Sequence, residues 1–440
     1  MALPPRTGFG RTKTVREILI SVAVLAMAWG MVYYYAGVLG PIRGNPGFGA
    51  RGIGGYQSDL YPRWLGARDL LLYHRNPYSQ EVTEEIERGF YGRPIDPSRD
   101  AGVDPEAFAY PVYVTFLLAP LLPFRFETVQ PIFTAVLVLL TVATLPLWIR
   151  GMRLDLGVRA RLLGFAAMMS SYAVIEGLCL GQITLLVSFL MAGSVAALSS
   201  GSPVLAGVLM ALTLVKPQLS CLLTAFLIVW VAGDWRARKG FAIGFGIVVA
   251  LLLAGSEVIL PGWFGFWREA VGGYIRWHRG SLMTQLLGAR VAAAVAGSLM
   301  LLCGVVFWRC RTAAAGSSRF NFALVSALSV TLLALPNAGG GSFYNEILLV
   351  PVVLWLFAWG TDLAGKFGPA RVTWMVAVAG LVGQWILAFA VSFAAFVLGY
   401  RFHHEATPFV GGPELLMYCF PAELALFVWC ASPQFWRGHE

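Results

Sequence analysis

Runs of apolar residues, separated by short polar stretches, recur along the chain from residue 18 onward. Most of them approach the roughly 20 residues that an α-helix needs to cross a hydrocarbon core of about 30 Å. The runs occupy residues 18–37, 107–124, 127–149, 162–180, 183–197, 203–215, 219–232, 241–260, 291–308, 320–335, 347–359, 372–398 and 415–431. This pattern predicts an all-α, polytopic transmembrane protein that forms one integral-membrane domain over residues 1–440.

Three prolines distinguish the run 107–124 from the others. Pro111, Pro120 and Pro123 interrupt helical hydrogen bonding and shorten any regular stretch. We therefore predict that this run does not span, but lies against the outer leaflet as an interfacial or re-entrant segment. The remaining runs give about twelve spans.

The hairpin around Lys216 is too short for two full crossings. A run of 13 residues, such as 203–215, extends about 20 Å at roughly 1.5 Å per residue, against a core of about 30 Å. The tip, Lys216-Pro217-Gln218, is therefore predicted to lie below the outer membrane surface. A cation at that depth needs an aqueous cavity or a fixed anion.

Composition supports the membrane assignment and excludes a soluble globule. The chain is 58% hydrophobic and only 12% charged, with a mean hydropathy of +0.70, which leaves too little polar surface to cover a soluble fold. It also lacks Walker, C-x-x-C and zinc-ligand spacings. These absences argue against an ATP-driven pump, a thiol-redox protein and a metalloenzyme, and we expect neither a metal nor a cofactor.

The net charge of +9 indicates topology rather than nucleic-acid binding, because the basic residues cluster between apolar runs. We predict that the basic clusters and both termini are cytoplasmic. Residues 1–17 then form a cytoplasmic N-terminus ahead of an uncleaved signal anchor. A cleaved signal peptide is the alternative, but Tyr33, Tyr34 and Tyr35 resemble an interfacial aromatic belt instead of a cleavage site. The clusters are Arg150, Arg153, Arg159 and Arg161; Arg236, Arg238 and Lys239; Arg309, Arg311 and Arg319; Lys366 and Arg371.

Topology places two loops outside, residues 38–126 and 261–290. The first contains two predicted interfacial helices, 62–74 and 80–90, and Asp59 precedes them between Tyr56 and Tyr61. Two interpretations of Asp59 stay open on residue type alone. It either caps the first helix, as Ser58 also can, or presents a carboxylate to the membrane surface for catalysis.

An ordered set of short motifs resembles glycosyltransferase family 87. The motifs are Ser58-Asp59-Leu60-Tyr61, Asn76-Pro77-Tyr78, Tyr110-Pro111, Ala119-Pro120-Leu121-Leu122-Pro123, Gly181-Gln182, Ala206-Gly207 and Lys216-Pro217. The resemblance covers roughly residues 15–360. It implies a GT-C-type integral-membrane enzyme that uses a polyprenyl-phosphate sugar as donor and resembles bacterial α-mannosyltransferase-like proteins.

The resemblance also implies roles for particular residues. The family's catalytic base is an aspartate in the first extracytoplasmic loop, and Asp59 occupies that position. A cation must then receive the leaving phosphate, and Lys216 is the leading candidate, followed by Arg63 and Arg68. For the two arginines a solvated helix face is the favoured alternative.

Further candidates for substrate binding come from polar residues near predicted outer helix ends. Glu176 either lines a cavity or lies at a solvated edge, and Gln182 either binds a sugar hydroxyl or caps a tight turn. The other candidates for substrate binding are His278, Tyr344 and Asn345. Mannosyltransferases of the family often carry a histidine after the ninth span, and residues 335–346 contain none, which argues against mannose as the donor sugar.

The leading hypothesis is an inverting, hexosyltransferase-type enzyme of the plasma membrane. It moves a hexose or pentose from a polyprenyl-phosphate sugar to a glycan or glycolipid acceptor on the extracytoplasmic side. Two hypotheses from other classes compete with it: a secondary transporter for a lipid-linked saccharide, and a non-catalytic scaffold for envelope assembly. Only the enzyme requires a base at Asp59.

Overall fold

A computed structural model describes residues 9–40, 55–56, 58–96, 100, 106–277, 282–335, 342–366, 368–399 and 410–432. Throughout these ranges the chain is helix, turn or loop, without a β-strand. The prediction of an all-α fold is confirmed. His278, a predicted site residue, lies outside the described residues.

The helices follow one another along the chain. In chain order they are α1 (Phe9–Tyr33), α2 (Leu60–Tyr73), α3 (Gln80–Tyr91), α4 (Val114–Leu118), α5 (Phe126–Gly151), α6 (Val158–Met169), α7 (Tyr172–Cys179), α8 (Thr184–Ser199), α9 (Pro203–Leu212), α10 (Pro217–Gly233), α11 (Trp235–Ile259), α12 (Trp263–Trp277), α13 (Leu282–Leu287), α14 (Ala289–Cys310), α15 (Ser318–Ala334), α16 (Val350–Lys366), α17 (Gly368–Leu398) and α18 (Gly412–Cys430). A π-helix, Tyr34–Leu39, extends α1, and 3₁₀ turns occupy Ala119–Leu121, Thr213–Val215 and Phe343–Leu349.

Membrane-spanning helices make up much of the fold. Among the described residues, six helices are long and apolar enough to cross a bilayer, and a seventh crossing results if α6 and α7 are counted together. Five shorter apolar helices contain 10–17 residues each. Every predicted span is thus helical, and the protein is a multi-pass membrane protein. The total of twelve crossings stays a prediction.

The predicted continuous helix over 162–180 is wrong in one respect, because α6 and α7 meet at an angle of 47°. Two serines explain the break. Ser170 Oγ donates to the Ala166 carbonyl at 2.7 Å, and Ser171 caps α7 by accepting from the Val174 N–H. Such local side-chain bonds compete with the helical ladder and favour helix ends.

The shortness of α8 and α15 follows from their place in the bundle. Almost every residue of both helices is buried, whereas most of α11 is exposed. A helix surrounded by other helices meets protein and not lipid along its whole length, so it does not have to match the bilayer thickness. Glycines allow the close approach of α9 and α11, because a Cβ on Gly207 would collide with the backbone of Phe241.

Helix α8 separates two chemically different ends of the bundle. At its C-terminal end, Arg150 donates to Ser200 Oγ at 3.2 Å and Arg153 donates to the Ser199 carbonyl at 3.0 Å. Thr184 begins the helix at the other end, about 24 Å away for 16 residues. The arginine-rich connection therefore lies opposite to the polar residues described below.

The first polar segment folds into α2 and α3, close to the predicted bounds. Arg75 links the two helices, because its guanidinium donates to both carboxylate oxygens of Glu85 at 2.8 and 3.1 Å and lies 3.4 Å from Asp69. The hydrogen bond from Arg75 lowers the pKa of Glu85, whereas burial raises the pKa of Asp69. After residue 106 only the five-residue α4 and one 3₁₀ turn precede α5, and residues 261–290 contain α12 and α13.

Candidate functional site

The turn between α7 and α8 docks against the start of α2. Ser58 Oγ donates to the Leu180 carbonyl at 3.1 Å, and Arg63 Nη1 donates to the Gly181 carbonyl at 3.4 Å. Gly181 has a φ of +64°, and a Cβ there would lie 3.0 Å from Leu60 Cβ. Glycine is favoured here because this conformation strains L-residues. The turn fixes the first polar segment to the membrane bundle.

Asp59 is held by a side chain of that turn and not by its own helix. It stands at the N-cap position of α2 but makes no side-chain capping bond, so the capping interpretation of Asp59 is wrong. Ser58 Oγ lies 3.4 Å from the Leu60 nitrogen instead. Asp59 Oδ2 accepts a short hydrogen bond from Gln182 Nε2. Its carboxylate is half-buried, and Oδ1 has no hydrogen-bond partner among the described residues.

Arg63 lies inside the site, which corrects the favoured prediction of a solvated helix face. The side chain is 2% exposed, because the turn of residues 180–182 and Tyr110 cover this face of α2. Nη2 donates to Gln182 Oε1 at 3.2 Å and to the Tyr110 hydroxyl. The guanidinium carbon lies 4.4 Å from the Tyr110 ring centroid, within the range of a cation–π contact.

Lys216 is buried where the short hairpin between α9 and α10 ends, with 5% exposure. Its ammonium donates to Thr184 Oγ1 at 2.8 Å, to Gln182 Oε1 at 3.2 Å and to Asn345 Oδ1 at 3.5 Å. It also lies 4.7 Å from the Tyr344 ring centroid. Of the two predicted surroundings, an aqueous cavity or a fixed anion, the second is absent within the described ranges, because no carboxylate forms an ion pair with Lys216. Neutral oxygens and an aromatic ring contact the ammonium instead.

The 3₁₀ turn Phe343–Leu349 closes the site from the side of α16. Asn345 is fully buried and accepts from Thr184 Oγ1 at 2.8 Å. The Tyr344 N–H donates to Glu176 Oε2 at 3.2 Å. Glu176 is 4% exposed, so the solvated-edge interpretation of this residue is wrong. The structure therefore brings Asn345, Tyr344 and Glu176 to the same end of the bundle.

Arg68 is not brought into this cluster. Its guanidinium carbon lies 5.2 Å from the Trp64 ring centroid and 5.9 Å from the Tyr73 ring centroid, on another face of α2. The side chain is half-buried, so its face is neither fully solvated nor part of the site.

Two members of the site were not proposed as site residues from the sequence. Tyr110 was noted only as part of a motif, although a tyrosine beside a proline in an interrupted apolar run is a usable signal. Thr184 follows Gln182 by two residues at the start of α8, and nothing in its local sequence marks it as a partner of Lys216. Both contacts are tertiary and span 47 and 32 residues respectively.

The arrangement combines one reachable carboxylate with two buried cations. Arg63 and Lys216 both point at a single oxygen, Gln182 Oε1, each at 3.2 Å, and Asp59 lies on the nitrogen side of the same amide. Two convergent cations can bind a phosphate, and an adjacent carboxylate can accept a proton. Nowhere in the described part of the chain do three His, Cys, Asp or Glu side chains meet as metal ligands.

The sequence model of glycosyltransferase family 87 matches residues 108–336, which is just over half of the chain. The chain belongs to glycosyltransferase family 87. The matched range of this membrane glycosyltransferase includes Gln182 and Lys216 and excludes Asp59 and Arg63, so the last two are assigned to the site by their contacts. Neither the curated proteins nor the solved structures contain a match.

Proposed function

We propose that this family 87 enzyme transfers a hexose or pentose from a polyprenyl-phosphate sugar to the hydroxyl of an extracytoplasmic glycan or glycolipid. The observation that carries the proposal is the half-buried Asp59 carboxylate beside two buried cations that share one oxygen partner. An enzyme that breaks a sugar–phosphate bond needs both a base and a cationic phosphate site, and here they are separated by one amide.

The phosphate site consists of Arg63 and Lys216. Lys216 acts as a compact charge and Arg63 as a planar fork that can contact two phosphate oxygens. Arg63 Nε is buried and has no hydrogen-bond partner among the described residues, so one donor of the fork is available to a ligand. A buried donor without a partner is costly, and a phosphate oxygen would satisfy it.

Asp59 acts as the general base. The acceptor hydroxyl attacks the anomeric carbon, its proton passes to the free carboxylate oxygen, and the bond between that carbon and the phosphate oxygen breaks. The phosphate leaves with the bonding electrons and is stabilised by Lys216 and Arg63. A single displacement with one base inverts the anomeric configuration.

The position of the site within the bundle supports an extracytoplasmic location. The site lies at the Thr184 end of α8, opposite to the end that Arg150 and Arg153 contact. Since basic connections are retained on the cytoplasmic side, the opposite end faces outward. The enzyme would act in the plasma membrane, where polyprenyl lipids deliver sugars to the outer surface.

The test is a transfer assay with purified protein in nanodiscs. Undecaprenyl-phosphate hexoses and pentoses, labelled in the sugar, are supplied with a membrane glycolipid extract, and nucleotide sugars serve as the comparison. The proposal expects transfer from at least one lipid-phosphate sugar, none from nucleotide sugars, and an inverted anomeric centre in the product. Transfer from nucleotide sugars alone, or retention of configuration, would contradict it.

A further inference from the structure

Gln182 lies between the charged groups of opposite sign in the site. Its side-chain oxygen accepts from Arg63 and Lys216, each at 3.2 Å, and its side-chain nitrogen donates to Asp59 Oδ2. The residue is fully buried. Its backbone is fixed as well, because Gln182 N donates to the Gly177 carbonyl at 2.8 Å.

The chemistry of the neighbours fixes the orientation of this amide. Arg63 and Lys216 offer only N–H donors, so they need the amide oxygen, whereas an ionised carboxylate only accepts and needs the amide nitrogen. The reverse orientation would place donors against two cations and an oxygen against a carboxylate. A glutamate or aspartate in place of Gln182 could not satisfy both sides at once, because an ionised carboxylate has no donor for Asp59.

Asp59 and Arg63 would pair directly in the absence of this amide. They are four residues apart at the start of α2, with the acid on the N-terminal side, which is the favourable spacing for a helical ion pair. In the described part of the chain they form no ion pair within 4 Å. Gln182 occupies the space between them and satisfies both.

We propose that Gln182 is a positioning residue that keeps Asp59 from pairing with Arg63 and Lys216. This inference rests on the proposed function. By holding the charges apart, the amide leaves one carboxylate oxygen available as a base and leaves both cations available to the donor phosphate. A direct ion pair would occupy both partners and weaken the base, because an opposite charge in contact favours the ionised form of a carboxyl group.

The test compares Gln182→Leu and Gln182→Glu, because the two variants change the surroundings of Asp59 in opposite senses. Leu removes the amide at similar size and lets Asp59 contact the cations. Glu keeps the shape but adds a negative charge beside Asp59 and the donor phosphate. The charged and titratable groups that face Asp59 are Arg63, Tyr110, Lys216 and Tyr344. Glu176 faces Tyr344, and Glu346 faces Glu176.

We expect both variants to lower kcat by at least about tenfold. This loss is smaller than the roughly 10²- to 10⁴-fold effect of removing the base, because Asp59 is still present in both variants. The acidic limb of the kcat/KM profile should move to lower pH in Gln182→Leu and to higher pH in Gln182→Glu. The KM for the lipid-phosphate sugar should rise most in Gln182→Glu. Gln384→Leu is the matched control, since Gln384 is another buried glutamine, in α17, and it should leave the profile unchanged.

Binding of undecaprenyl phosphate alone, measured by tryptophan fluorescence, gives a readout that does not depend on turnover. It should weaken in both variants. Acidic limbs that stay in place, or that move in the same direction, would overturn the inference even if activity falls, because a purely structural role predicts no opposite shifts. If Gln182→Leu does not fold, Gln182→Glu still tests the predicted shift to higher pH.

Failure of this inference is distinguishable from failure of the proposed function. An inactive Asp59→Asn variant together with unshifted Gln182 profiles would remove only the positioning role. A fully active Asp59→Asn variant would remove the base assignment, and the role of Gln182 with it.

Discussion

Replacing Lys216 by methionine separates its role in donor binding from any role in folding. In the folded protein the ammonium contacts Thr184 at 2.8 Å, Gln182 at 3.2 Å and Asn345 at 3.5 Å. The last distance is at the limit of a hydrogen bond. The substitution therefore removes two good hydrogen bonds and one buried charge.

None of these three partners loses all its contacts in Lys216→Met. Thr184 and Asn345 keep their mutual bond at 2.8 Å, and Gln182 Oε1 keeps Arg63 at 3.2 Å. Methionine has a similar length, and its thioether avoids the cost of burying a cation. We therefore expect the free energy of unfolding to change by no more than about 1 kcal/mol, the size of one net hydrogen bond.

Donor binding should respond much more strongly. A hydrogen bond to a charged group contributes about 1.5–3 kcal/mol, which corresponds to a Kd roughly 10- to 150-fold weaker at 1.4 kcal/mol per factor of ten. The assay is titration of undecaprenyl phosphate into nanodiscs, followed by tryptophan fluorescence, with thermal unfolding measured on the same samples. Lys239→Met is the control, because Lys239 is exposed in α11. An unchanged Kd in a folded Lys216→Met protein would refute the reasoning.

Three further predictions test the framework around the site. Gly181→Ala should cost about 1–2 kcal/mol of stability because of its positive φ, while Gly297→Ala, whose Cβ would meet nothing within 4 Å inside α14, should not lower stability; equal melting temperatures would contradict this. Glu85 has a lowered pKa in the folded protein because of its hydrogen bond to Arg75, so this bond stabilises α3 fully above the ordinary pKa of 4.5 and is lost as the pH falls through the lower pKa of the folded protein. The wild type should therefore show stronger hydrogen-exchange protection of α3 than Glu85→Gln at neutral pH, and this difference should vanish as the pH falls. A difference that stays constant with pH would contradict the stabilising role of the Glu85–Arg75 bond. Finally, an impermeant thiol reagent applied from outside should label Ser98→Cys and not Gly157→Cys above the parent's background; labelling of Gly157→Cys alone would reverse the topology.

The sequence predicted the apolar helices well, because they follow from local properties. Hydropathy located every long apolar helix of the described residues, and the short hairpin drew attention to Lys216, which the structure buries within the bundle. The depth of Lys216 below the membrane surface stays a prediction. The break between α6 and α7 was missed because Ser170 and Ser171 lie within a continuous apolar run, and hydropathy does not register serine bonds to the backbone.

The partners within the site were harder to predict, because they come from distant parts of the chain. The burial of Arg63 depends on Tyr110 and on the turn of residues 180–182, and neither is close to it in sequence. Thr184 and Asn345 are 161 residues apart. Gln182 was identified as a binding residue, but its position between a carboxylate and two cations emerges only when three segments of the chain meet.

The most direct test of the account is transfer by Asp59→Asn. Asparagine keeps the size of the side chain, and its carbonyl oxygen can still accept from Gln182 Nε2, so the fold and the Kd for undecaprenyl phosphate should match the wild type. Transfer from a lipid-phosphate sugar should slow by roughly 10²- to 10⁴-fold, because the group that accepts the proton is gone. Wild-type transfer rates in the folded Asp59→Asn protein would contradict the account.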